Sequence, residues 1–230
     1  MIMRRMVTAC AMAGLGLALA VSAGAQDTQQ KAAAVKQAAA QNQQALRSYS
    51  WMEKTEIVFK GEVKNTKVEA CRYGPDGKVQ KTLVTAPPPA EKKRGLRGKM
   101  VEKKTGEMKE DMEAAAALVH QYLPPSPEKI QAAMAAGKIS IVPSAATTTV
   151  RIADYLKPGD SLVLGLGTAD KGLKQISVDS WKDSPSDKVT LNVVMQALPD
   201  GTDYPGGITL VVPASKVEVR ITNSNYQKIQ

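Results

Sequence analysis

The sequence predicts an α+β fold in which a strongly curved antiparallel sheet, a half-open β-barrel, is covered by two or three helices. Three observations carry this. A long alternating run, YSWMEKTEIVFKGEVK, extends from Tyr49 to Lys64. Seven more strand-like runs, set apart by turn residues, follow Lys138. Between the two strand sets the residues recur at helical spacing. Dominant strands with helices grouped between them fit a single α+β domain.

The first 25 residues precede that domain. Arg4 and Arg5 stand ahead of an uncharged run from Met6 to Val21, followed by Ala23-Gly24-Ala25. A positive n-region, an apolar h-region and an A-x-A site describe a secretory signal peptide, here cleaved after Ala25. Val7-Thr8-Ala9-Cys10 is not read as a lipoprotein box, because Cys10 precedes most of the apolar run instead of following it. The expected organisation is a signal peptide over 1–25 and one domain over 26–230, exported to the periplasm. No later stretch approaches the ~20 consecutive apolar residues that cross a bilayer, so the exported domain is expected to be soluble.

Residues 26–48 are rich in Ala and Gln and lack Gly and Pro, which predicts a helix with Ala33, Val35, Ala39 and Leu46 as a thin apolar stripe. The helix leads into the long strand. There Tyr49, Trp51, Ile57 and Phe59 share one parity, and Lys54, Glu56 and Lys60 the other, which describes one apolar and one wet face. Gly61 breaks the run, and VKNTKVEACRY forms a second strand. Gly74-Pro75-Asp76-Gly77 supplies a turn, because Pro fixes φ and Gly admits positive φ, and KVQKTLV follows as a third strand.

At Ala86-Pro87-Pro88-Pro89 the strand signal stops. The run EKKRGLRGKMVEKK reads as a mobile basic loop in which Lys92, Lys93, Arg94 and Arg97 are candidates for contact with an anionic surface. A helix is predicted from about Thr105, with Glu107, Glu110, Asp111 and Glu113 near its start. Met108, Met112, Ala115, Val119 and Tyr122 form its stripe. Pro124-Pro125 ends it, and Ser126-Pro127-Glu128 starts a short helix with Ile130 and Met134 that Gly137 stops. The remaining strands are punctuated by Lys157-Pro158-Gly159-Asp160, Pro199-Asp200-Gly201 and Pro205-Gly206-Gly207.

Composition narrows the function classes. Cleavage removes Arg4 and Arg5, so 31 basic residues become 29 against 22 acidic ones, a formal charge of +7. In an exported chain such a surplus suits anionic lipid or polysaccharide and not nucleic acid, or serves solubility alone. Cys71 is the single cysteine after cleavage, which rules out an intramolecular disulfide and a paired-cysteine zinc site. No metal and no cofactor is expected.

Catalytic patterns are weak. His120 is the only histidine and lies beside a helix stripe. Ser126-Pro127-Glu128-Lys129 and Lys104-Thr105-Gly106 match S-x-x-K and K-T-G, but in the reverse order, with no Ser-Asp-Asn between them. The run Gly165 to Gly172 leads into a strand and not a helix, so it reads as a hairpin turn and not a phosphate loop. The sequence therefore predicts a protein that is not an enzyme.

Two segments carry a resemblance: Ala45-Leu46-Arg47-Ser48-Tyr49-Ser50-Trp51, and Asp154-Tyr155-Leu156-Lys157-Pro158-Gly159-Asp160 with the strand after it. With the order helix, meander, helices, meander, they make the chain resemble the periplasmic carriers of outer-membrane lipoproteins, the LolA/LolB-like superfamily. The resemblance implies a half-open barrel closed by helices around a cavity for acyl chains. Its ligand would be a lipid or the acyl chain of a lipoprotein, its partner an envelope membrane or membrane-associated protein, and its working form a monomer. Tyr49, Trp51, Ile57 and Phe59 would then face the cavity, covered by the helices of Met108, Met112, Val119 and Ile130. The alternative is a structural or envelope-associated module with a filled core and no small ligand.

Overall fold

The computed structural model describes residues 37–85, 96–169 and 172–229, with 96–105 described as backbone. Helical residues 37–46 (α1) lead into β1 (Tyr49–Phe59), β2 (Glu62–Tyr73) and β3 (Val79–Thr85). Helix α2 (Leu96–Val119), a 3-10 turn (His120–Tyr122) and α3 (Pro127–Ala135) follow. Seven strands complete the chain: β4 (Ile139–Pro143), β5 (Thr147–Ala153), β6 (Ser161–Gly167), β7 (Leu173–Trp181), β8 (Lys188–Ala197), β9 (Asp203–Val212) and β10 (Val217–Lys228).

All ten strands form one antiparallel sheet in the order β3-β2-β1-β10-β9-β8-β7-β6-β5-β4. The first and last strands meet in its middle, and β3 and β4 are its two free edges, so the sheet curves without closing. Pairing shifts by a residue at several points, among them Ser50/Met52, Ile57/Val58 and Val194/Met195. Such bulges bend a strand and raise its local twist, which curls a sheet this wide.

Two expectations need correction. The basic run is not a loop throughout, because α2 begins at Leu96, nine residues before Thr105. Lys, Arg, Glu, Met and Leu are all good helix formers, and a charge run between them does not interrupt the backbone pattern. Lys92, Lys93 and Arg94 lie outside the described residues. Pro205-Gly206-Gly207 is not a turn but part of β9. Pairing with β8 jumps there from Val194–Gly207 to Met195–Pro205, so Gly206 is the extra residue of a bulge. A Cβ on Gly206 would lie 2.5 Å from the exposed Gln196 side chain, which would have to shift.

Other turns form where turn chemistry places them. Gly77 and Gly201 take φ of +71° and +82°. The Ser126 hydroxyl caps α3 by accepting from the Lys129 N–H at 3.3 Å, and Gly137 ends the helix at φ +68°.

The large core lies between the helices and β5 to β10. Ala115, Val119, Tyr122, Leu123 and Ile130 pack there against Val150, Ile152, Leu162, Leu164, Ile176, Leu191, Ile208 and Ile221, with Met112 partly buried at the rim. The segment Asp154 to Asp160 locks the helices to the sheet. Buried Asp160 accepts from the Leu156 and Lys157 N–H groups at 3.1 and 3.0 Å and from the Tyr122 hydroxyl at 2.5 Å. Tyr155 stacks on Tyr122 at 5.7 Å, and its hydroxyl accepts from the Ser126 N–H at 2.7 Å.

Candidate functional site: an aromatic lobe and a polar seam

The helix-facing side of the sheet continues from β10 onto β1. Directly opposed residues of an antiparallel pair share a face, and Thr55 and Ile57 oppose Ile221 and Val219 of the large core. The odd-numbered side chains of β1 therefore face the helix side. Their burial changes along the strand. Tyr49 and Trp51 are buried, Glu53 and Thr55 are buried polar residues, and Ile57 and Phe59 are half-buried.

Trp51 anchors a second apolar cluster with Cys71, Val79, Tyr73 and Tyr226. Its ring stacks on Tyr226 at 5.6 Å with planes 9° apart and meets Tyr73 at 5.4 Å. Tyr226 also contacts Tyr204 at 4.2 Å and Tyr49 edge-on at 6.3 Å. Five of the chain's nine aromatic residues thus gather in this lobe. A bulge brings Tyr226 there. Ser50 pairs with Gln227 and Met52 with Ser224, leaving Asn225 and Tyr226 opposite Trp51, with Asn225 at φ +54°. At the same bulge, Ser50, Trp51, Met52, Ala70, Asn225, Tyr226 and Gln227 line a groove of about 420 Å³ open to solvent.

Between the lobe and the large core runs a polar seam. Glu53 and Lys81 form an ion pair at 2.5 Å, and Thr55 donates to the same Glu53 oxygen at 3.5 Å. Cys71 lies opposite both Trp51 and Lys81. Burial, reinforced by the nearby Glu53 charge, pushes its thiol up to about 12. Burial likewise raises the Tyr73 phenol to about 12 and the Tyr226 phenol further. Asn223 faces Glu53 across the β1–β10 ladder, and its amide N–H donates to the Pro205 carbonyl at 2.8 Å.

The residues singled out in the sequence fall into separate places. Val119 and Ile130 lie inside the large core, Met112 packs at its rim, and Met108 is half-buried. Trp51 belongs to the lobe, and Tyr49 reaches it through Tyr226. Among the described residues, α2 meets β9 and α3 meets β5. Val119 and Ile130 thus share a cluster with Val219, which opposes Ile57, while Trp51 belongs to the separate lobe. Arg97 lies in α2, described there by its backbone. Sequence reading missed Glu53, Lys81 and Asn223. For Glu53 the signal was present, because position 53 has the parity of Trp51.

Ser126 is engaged as a helix cap and donates to Glu128 at 2.6 Å. Lys104-Thr105-Gly106 lies within α2. Among the described residues no group of His, Cys, Asp and Glu gathers to hold a metal ion, and no helix is long and apolar enough to cross a membrane.

No protein-family model matches the chain, and no curated protein does. Two solved structures are similar to it in backbone course. One is a DUF1329 family protein from Desulfovibrio piger, 10% identical, with a TM-score of 0.34 over 82% of this chain and 88% of that one. The other is a domain named for outer membrane lipoprotein sorting from Vibrio parahaemolyticus, 9% identical, with a TM-score of 0.33 over 82% of this chain and 90% of that one.

Proposed function

We propose that the protein is an exported, non-catalytic, monomeric binder of a lipid-like ligand, held on the helix-facing side of the open sheet at the aromatic lobe. The observation that supports this best is the division of the interior. Helices α2 and α3 serve the core over β5 to β10, while Trp51, Tyr73 and Tyr226 form a separate cluster beyond the seam. Flat aromatic surface beside an open sheet edge suits an acyl chain, and burial of apolar area at ~25 cal/mol per Å² drives its uptake. Transfer of such a ligand between envelope membranes fits the fold and the basic charge.

A second reading, a module with a filled interior and no small ligand, is favoured by the large core, where Val150, Ile152, Leu162 and Leu164 are fully enclosed. One experiment separates them. The protein, expressed as the full chain in an export-competent host, is purified, extracted with organic solvent and analysed by mass spectrometry. A stoichiometric lipid is expected. A well-folded monomer that yields none would favour the filled module.

A further inference from the structure

Three buried polar atoms on the helix-facing side of β1 and β10 have no hydrogen-bond partner among the described residues: the indole N–H of Trp51, Oε2 of Glu53 and Oδ1 of Asn223. Their residues are 4%, 2% and 3% exposed. They are also neighbours. Glu53 and Asn223 oppose each other directly, which sets their Cβ atoms ~4.5–5.5 Å apart. Trp51 stands two residues along the same strand and shares the face.

The remaining polar atoms of Glu53 and Asn223 are occupied in ways that fix their orientation. Glu53 Oε1 takes the Lys81 ammonium and the Thr55 hydroxyl, which leaves Oε2 free. The Asn223 amide nitrogen donates to Pro205, which leaves Oδ1 free. Buried polar atoms in native folds are nearly always paired. One donor and two acceptors unpaired on a single face, beside an aromatic lobe, describe a binding position for a polar group.

We propose that this seam holds the head of an amphiphile, a primary amide or a glycerol diol that donates to Glu53 and Asn223 and accepts from the Trp51 indole, with the chain lying along Tyr226 and Tyr73. The inference rests on the lipid-binding reading above and specifies the head such a ligand carries. A primary amide matches the seam group for group, since its NH2 supplies two donors and its carbonyl one acceptor. A monoacylglycerol head brings two free hydroxyls, one proton for each acceptor and lone pairs for the indole. A carboxylate head adds a further anion beside Glu53 and the buried Glu69 that opposes it on β2, and has no proton for either acceptor. A methyl ester accepts but cannot donate.

The test is calorimetric titration of the delipidated exported protein with oleamide, monooleoylglycerol, oleate and methyl oleate, which share one chain and differ in the head. Oleamide and monooleoylglycerol are expected to bind about tenfold more tightly than methyl oleate, the worth of roughly one well-made hydrogen bond. Asn223→Leu should remove most of that preference and leave methyl oleate binding unchanged. Trp51→Phe, which deletes the N–H and keeps an aromatic ring, gives the same reading should Asn223→Leu not fold. Equal binding of all four, or oleate binding as tightly as oleamide, overturns the head assignment while the lipid-binding reading stands. Binding of none of them removes both.

Discussion

Glu53 on β1 and Lys81 on β3 are joined at 2.5 Å across the intervening strand β2, with side chains 2% and 4% exposed. The pair is as shielded from water as the aliphatic core. Taking two charges out of water is costly, and their mutual attraction offsets that only while both are present. Lys81→Met alone should therefore destabilise the fold by about 3–5 kcal/mol, because it strands a buried carboxylate. Combining it with Glu53→Met should restore most of the loss. Urea unfolding of the two single variants and the double variant gives the coupling. Additive losses would mean that the two charges do not depend on each other.

Tyr122 makes a comparable bond inside the large core, where its hydroxyl donates to Asp160 at 2.5 Å and lies 2.7 Å from the Ser180 hydroxyl. Burial, with Asp160 second, raises this phenol. A hydrogen bond to a charged partner contributes about 1.5–3 kcal/mol, so Tyr122→Phe should cost about that much in a denaturation measurement. The loss should be far smaller in an Asp160→Asn background. An equal loss in both backgrounds would assign the effect to the Ser180 contact and not to the Asp160 bond.

Much of the fold was legible because strand parity and turn chemistry are local. Gly74 to Gly77, the Ser126 cap and the hairpin at Pro199 to Gly201 each need only a few neighbouring residues to be read. What parity does not reveal is which buried positions are polar, or which layer covers them. Glu53 shares its parity with Trp51, yet its partner Lys81 lies 28 residues away and meets it only through the β2–β3 register. The lobe was hidden for the same reason. Tyr226 reaches Trp51 only because β10 pairs with β1 and bulges at Asn225, a relation across most of the chain.

Val58 and Phe59 show the limit of parity within one strand. Phe59 has the parity of Trp51 but is half-buried, whereas Val58 is 2% exposed. The β2 pairing jumps at that point from Ile57–Asn65 to Val58–Val63, and the bulge changes how the end of β1 is covered. Val58→Asp should therefore unfold the protein, since an unpaired charge there is costly, while Phe59→Asp should lower the melting temperature by clearly less. Circular dichroism melts compare them. A larger loss for Phe59→Asp would restore the simple alternation.

Tyr49 tests a contact far from the lobe's centre. Its hydroxyl donates to Asp200 at 2.5 Å, and Lys228 stands 3.3 Å from the same carboxylate oxygen. The Tyr49 bond, ahead of the Thr202 contacts and Lys228, holds the Asp200 carboxyl far below its ordinary range. Tyr49→Phe should move the carboxyl titration of Asp200 upward, as read by carbon-13 chemical shifts. An unmoved titration would assign the depression to Thr202 and Lys228.

Cys71 sets the behaviour in alkali. Its folded-state value is raised from 9.0 to about 12 by burial first and by Glu53 second, so the native fold keeps the proton that the unfolded chain releases. A group raised in this way stabilises the fold fully below the unfolded value, and the contribution disappears as pH climbs toward the folded one. Stability should accordingly fall from about pH 9 to about pH 12, and Cys71→Ala should flatten part of that decline. Tyr73, raised from 10.0 to about 12, accounts for part of what remains. The same displacement lowers the native thiolate fraction on the order of a thousandfold, so a disulfide reagent at pH 8 should label Cys71 only after unfolding. Rapid labelling of the native protein would overturn this account of the thiol, and Cys71→Ala would then leave the alkaline decline unchanged.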